Sequence, residues 1–107
     1  MTRCEFFREN ERITGFSVSG HSGYAEAGQD VLCASITAAV TLTEAIINDV
    51  CGGKAKVRVK EADARITLTL PAVCEEEETI QDVLTGLMLY LCNLRDDYED
   101  YIEVLEV

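Results

Sequence analysis

The sequence predicts an α+β fold, a two-layer sandwich in the order ββαββαβ, with two helices packed on one face of a mostly antiparallel five-stranded sheet. Three observations point there. Two apolar stripes recur at spacings of four and three, Leu32-Ile36-Ala39-Thr43-Ile46-Val50 and Ile80-Leu84-Leu87-Leu91-Leu94-Tyr98, and each marks a helix with one face to bury. Thr14, Phe16 and Val18, and again Ile66, Leu68 and Leu70, alternate with other residues in the period of a half-buried strand. A chain of 107 residues is one domain's length, and one sheet face under two helices buries every stripe at once.

The elements follow in order. Thr2–Arg8 and Arg12–Ser19 read as strands about a turn at Glu9-Asn10-Glu11; Ile13 is out of phase, and Gly15 marks a bulge. Residues Gly20 to Gln29 hold Gly20, Gly23 and Gly28, the composition of a loop of low local stability. Asp30 is a natural N-cap for a helix over Val31–Val50, which Val40 and Ile47 broaden and Gly52-Gly53 end. Lys54–Lys60 and Arg65–Leu70 form a second hairpin around Glu61-Ala62-Asp63-Ala64, closed by Pro71. Glu75–Glu78 puts four acids at the positive end of a second helix, and Tyr101–Val107 reads as the last strand.

Charge narrows the partners. Nine Lys and Arg stand against twenty Asp and Glu, a formal charge of −11. Such a surface repels phosphate backbones and anionic lipid, so neither nucleic acid nor membrane is expected, and basic proteins or peptides are favoured. No apolar run approaches the roughly 18 residues of a membrane span. Met1–Asn10 carries both signs of charge and lacks the apolar core of a signal peptide, which predicts a cytoplasmic protein. Five cysteines, an odd number without a CxxC pair, fit free thiols better than a disulfide framework. With His21 the only histidine, neither a metal nor a cofactor is expected.

The chemistry concentrates between Gly20 and Val40, GHSGYAEAGQDVLCASITAAV. With Asp30 as N-cap, Cys33 occupies the first helical turn, where the dipole and the backbone N–H groups favour a thiolate and offer an oxyanion hole. At 100° per residue from Leu32, Cys33 falls at about 100° and Thr37 at about 140°, the rim of the buried face. A nucleophile there, with an imidazole on the loop beside it, is the requirement of cysteine catalysis. Taken singly, each residue has a plainer use: a Cys on a helix is usually a small core residue, Asp30 a cap, Thr37 a rim hydroxyl, His21 a surface side chain. Two other readings stay open. One is a non-catalytic acidic module that holds a basic segment; the other is a thiol redox sensor, which needs a resolving cysteine near Cys33.

The segment resembles the signature of the ribosomal-processing cysteine proteases, the Prp family of small bacterial enzymes of about this length. That signature runs Gly-His-Ala-Gly-Tyr-Ala, then Gly and Asp, then Val-Cys-Ala with a Ser one helical turn on. Here stand Gly20-His21-Ser22-Gly23-Tyr24-Ala25, Gly28, Asp30 and Leu32-Cys33-Ala34, with Ser22 in place of Ala and Thr37 in place of the Ser. The resemblance implies a cysteine endopeptidase with His21 as general base and Cys33 as nucleophile. Gly20, Gly23, Asp30 and Thr37 then shape the site or touch substrate. It further implies a homodimer, a site loop that orders on substrate, and as substrate the N-terminal extension of bacterial large-subunit ribosomal protein twenty-seven, cut after an aromatic-rich stretch. A basic ribosomal protein as partner agrees with the charge.

Overall fold

The structure, a computed structural model, describes residues 1–21 and 30–107. From residue 22 to residue 29 the expected loop and its low stability lie outside the described residues, and Gly23 with them. Five strands, β1 (Thr2–Glu9), β2 (Arg12–Ser19), β3 (Lys56–Lys60), β4 (Arg65–Thr69) and β5 (Ile102–Glu106), form one sheet in the order β3-β4-β2-β1-β5. Its neighbours are antiparallel except β1 and β5, which run parallel. Helices α1 (Val31–Glu44) and α2 (Glu77–Asp97) bury their stripes against Cys4, Phe6, Phe16, Val18 and Leu68 in one apolar core. The predicted element order and two-layer packing are thus present.

The bulge of the first hairpin falls one residue before the expected Gly15. Phe7 pairs with Gly15 and Arg8 with Ile13, so Thr14 has no partner across the ladder. The extra residue flips the phase, which is why Ile13 is only 1% exposed despite its place in the alternation. Gly15 answers a different need. A Cβ there would come within 2.2 Å of the Leu68 carbonyl oxygen, so only glycine lets β2 pass β4 at this spacing.

The first helix departs from expectation at its end. It continues past Glu44 as a π-helical turn, Ala45–Val50, in which the Cys51 N–H reaches back to the Ile46 carbonyl. The wider turn brings Ile47 and Cys51 inward and leaves Val50, counted in the predicted stripe, 78% exposed. The segment Val31–Val50 is also long and apolar enough by composition to cross a membrane, which corrects the sequence expectation on apolar runs. Its Leu32, Ile36, Val40 and Ile47 are packed in the core, so here that composition serves a helix lying against a sheet.

Each helix is fastened to a neighbouring strand or loop by an amide side chain that bonds backbone in both directions. Asn48 accepts from the Ala55 N–H (2.8 Å) and donates to the Ala55 carbonyl (3.1 Å). Gln81 accepts from the Ile13 N–H and donates to the Ile13 carbonyl, both at 2.8 Å. Two satisfied bonds to the backbone of one residue fix position and rotation together. At the outer edge of the sheet, β3 carries Lys56, Arg58 and Lys60 between a half-buried Val57 and a 67% exposed Val59. Cations on an edge strand discourage pairing with another chain.

Candidate active site

The site begins with two backbone constraints. Asp30 is extended (φ −82°, ψ 91°) and caps α1 as predicted, its Oδ1 accepting from the Cys33 N–H at 3.0 Å while its carbonyl accepts from Ala34. This fixes Cys33 in the first turn, half-buried at the rim. It also narrows the expected oxyanion hole, because the Cys33 N–H already serves the cap. The first-turn donors other than that one are those of Val31 and Leu32.

Gly20 constrains the other side. It follows the end of β2 with φ +82°, and a Cβ would meet the Met1 carbonyl oxygen at 2.7 Å. Its N–H donates to the Asp63 carbonyl in the turn between β3 and β4, at 3.3 Å. A left-handed residue pinned between the chain start and that turn is a glycine position, and it sets the direction in which His21 leaves the sheet.

The result is a cavity of about 150 Å³ that His21 and Cys33 share. Gly20 and Thr37 line it as well, and among the described residues so do Thr2, Val18, Ile36 and Ala64. The structure therefore brings together four of the six residues singled out in the sequence. Asp30 stands behind them as the cap, and Gly23 lies outside the described residues. Sequence reasoning missed Thr2, Val18, Ile36 and Ala64. Ile36 was within reach, since it sits one turn from Cys33 on the same helix. Thr2 follows from the register once Arg3 is known to pair with Ser19, whereas Ala64 arrives only through the sheet order.

A larger groove, about 590 Å³, runs between α1 and α2, but its walls, among them Leu42, Ile46, Val83 and Tyr90, carry neither thiol nor imidazole. None of the five cysteines is in a disulfide. Burial, then the neighbouring Cys92 and Glu103, pushes the Cys4 thiol up to about 12. Burial and the Glu77 carboxylate also push Cys74 up, only partly opposed by Arg12. Among the described residues no cluster of three or more His, Cys, Asp or Glu is placed to hold a metal ion.

Residues 1–103 match the family model of the cysteine protease Prp. The chain belongs to that family. It is thus a cysteine protease by family, as the resemblance of the Gly20–Val40 segment implied. It is similar, at 27% identity over 94 residues, to the ribosomal processing cysteine protease Prp of Bacillus subtilis, with 86% of this chain and 84% of the relative covered. Its fold matches that of the Staphylococcus aureus ribosomal processing protease Prp bearing a covalently linked product peptide, with a TM-score of 0.89 over the whole of both chains at 16% identity. The same S. aureus protease in complex with a substrate peptide gives a TM-score of 0.85, again over the whole of both chains, at 15% identity.

Proposed function

We propose that this chain removes the N-terminal extension of bacterial large-subunit ribosomal protein twenty-seven, with Cys33 as nucleophile and His21 as general base. The observation that carries the reading is the single cavity that both side chains line. His21 takes the proton of Cys33 Sγ, and the thiolate attacks the scissile carbonyl carbon. As the C–N bond breaks, the imidazolium returns that proton to the leaving amine, and a thioester joins substrate to Cys33. Water, deprotonated by His21, then attacks the thioester and frees the new carboxylate and the thiol. The N–H groups of Val31 and Leu32 are the donors we assign to the oxyanion, with Thr37 lining the same cavity one turn on from Cys33.

A charge of −11 favours a basic ribosomal partner and supports this substrate class. The reading places the enzyme in the cytoplasm, where ribosomal proteins are made, and as a homodimer; sedimentation velocity checks the second point. Among the described residues no other cysteine lines the cavity, which counts against the redox-sensor reading. The test is to mix the purified protein with the extended precursor under reducing conditions and weigh the products. Two fragments whose masses sum to that of the precursor plus one water support the reading. An intact precursor overturns it, and retained binding by both wild type and Cys33→Ala in that case would favour a non-catalytic module.

A further inference from the structure

Thr2 is 2% exposed, and its Oγ1 is buried with no hydrogen-bond partner, the one side-chain polar atom so placed among the described residues. Its backbone N–H donates to the Tyr101 carbonyl at 2.9 Å. The same residue lines the cavity that holds His21 and Cys33. It sits there because the β1–β2 register that pairs Arg3 with Ser19 carries Thr2 opposite Gly20, where a Cβ would lie 4.0 Å from the Thr2 Cα.

An unpaired buried hydroxyl weakens a fold, and valine, of the same shape, would relieve the loss at once. A hydroxyl kept in such a place calls for a partner that arrives in another state of the site. Oγ1 is closed to solvent in this arrangement, so a partner reaches it only when a side chain of the cavity wall turns inward. His21 meets the requirement: it adjoins Gly20, it is exposed in this structure, and it carries two ring nitrogens.

We propose that Thr2 is the positioning residue for the His21 imidazole, an inference that rests on His21 serving Cys33 as base. With the ring turned into the cavity, one ring N–H donates to Thr2 Oγ1. The other nitrogen, left unprotonated, faces the Cys33 thiol and takes its proton. The imidazolium keeps the same N–H donation, so one hydroxyl holds both protonation states. Among the described residues, the charged groups on the segments that adjoin this pair are the Asp30 carboxylate at the cap of α1, the Met1 amino terminus, and Glu61 and Asp63 of the β3–β4 turn, of which Asp63 pairs with Lys60 at 3.2 Å.

The test uses the full chain and iodoacetamide, with alkylation of Cys33 followed by mass mapping from pH 5 to 9, alongside kcat and KM on a precursor peptide. Thr2→Val slows neutral-pH alkylation and kcat by about tenfold, a part of the roughly 10²–10⁴-fold that a placed acid–base group contributes. It shifts the pH profile, leaves KM unchanged, and keeps or raises the thermal midpoint; Thr2→Ser restores the wild-type profile. Thr2→Ala is read the same way should the valine variant not fold. A valine profile that superimposes on wild type, while His21→Ala slows alkylation, overturns the role of Thr2 and leaves the catalytic pair standing. A raised KM at constant kcat overturns it too, by giving the hydroxyl to the peptide. If His21→Ala itself alkylates at the wild-type rate, the catalytic pair fails and Thr2 with it.

Discussion

Each ββα unit delivers a cysteine to the start of its helix, Cys33 three residues after Asp30 and Cys74 three residues ahead of Glu77. The surroundings differ. Cys74 lies in a polar staple: Arg12 pairs with Glu77, donates to the Pro71 carbonyl at 2.7 Å and reaches the Cys74 sulfur at 3.5 Å. The sulfur itself turns back to the Pro71 carbonyl. Cys33 opens instead on a cavity with an imidazole across it. A helix start is therefore not enough to make a nucleophile. Around Cys74 the neighbours close the junction and hold the thiol protonated, whereas around Cys33 they leave room for a substrate atom.

The sharpest way to break this comparison is to remove each thiol in turn. Cys33→Ala is expected to cut precursor cleavage by about 10³-fold or more, and Cys74→Ala to leave it unchanged; mass spectrometry of the digest reads both. Equal losses would make the two junctions equivalent. Next comes the order of labelling by iodoacetamide near neutral pH. Cys33 reacts first, Cys74 and the buried Cys51 later, and Cys4 last, because burial holds its thiol near 12. Labelling of Cys74 ahead of Cys33 in folded protein would sink the nucleophile assignment.

Cys4 carries a further consequence for stability. Its folded value is raised, so its contribution is complete below the unfolded value of 9.0 and is lost as pH rises towards about 12. Unfolding midpoints in urea should fall across that window, and less steeply in Cys4→Ala. The smallest effect belongs to the staple. Glu77 is held below its ordinary 4.5, first by the hydrogen bond from Arg12, so the pair stabilises above that value and fades as pH falls through the lowered one. The pair is partly open to solvent, and such pairs contribute about 0.2–1 kcal/mol. Arg12→Ala should therefore lower the urea midpoint modestly at pH 7, by an amount that shrinks at pH 3.

The helices and their buried stripes were legible because a 3.6-residue period survives in any one sequence. Leu32, Ile36, Ile80, Leu84 and Leu91 all lie where that period places them. Val50 was not, since a π-helical turn changes the period without a residue that announces it. At the site, His21, Cys33 and the Asp30 cap could be read from one contiguous segment. Thr2 and Ala64 could not, because they reach the cavity through strand register and sheet order, which local pattern does not encode. The parallel pairing of β5 with β1 belongs to the same class, set by where α2 returns the chain.

The cations of the β3 edge reach beyond the sheet. Lys54, Lys56 and Lys60 are all the lysines this chain has, and they follow one another along or beside a single outer strand. Amine-directed chemistry, whether a fluorophore, a crosslinker or an activated sensor surface, thus finds its targets on that rim and at the amino terminus alone. A protein attached through the rim is held in one orientation.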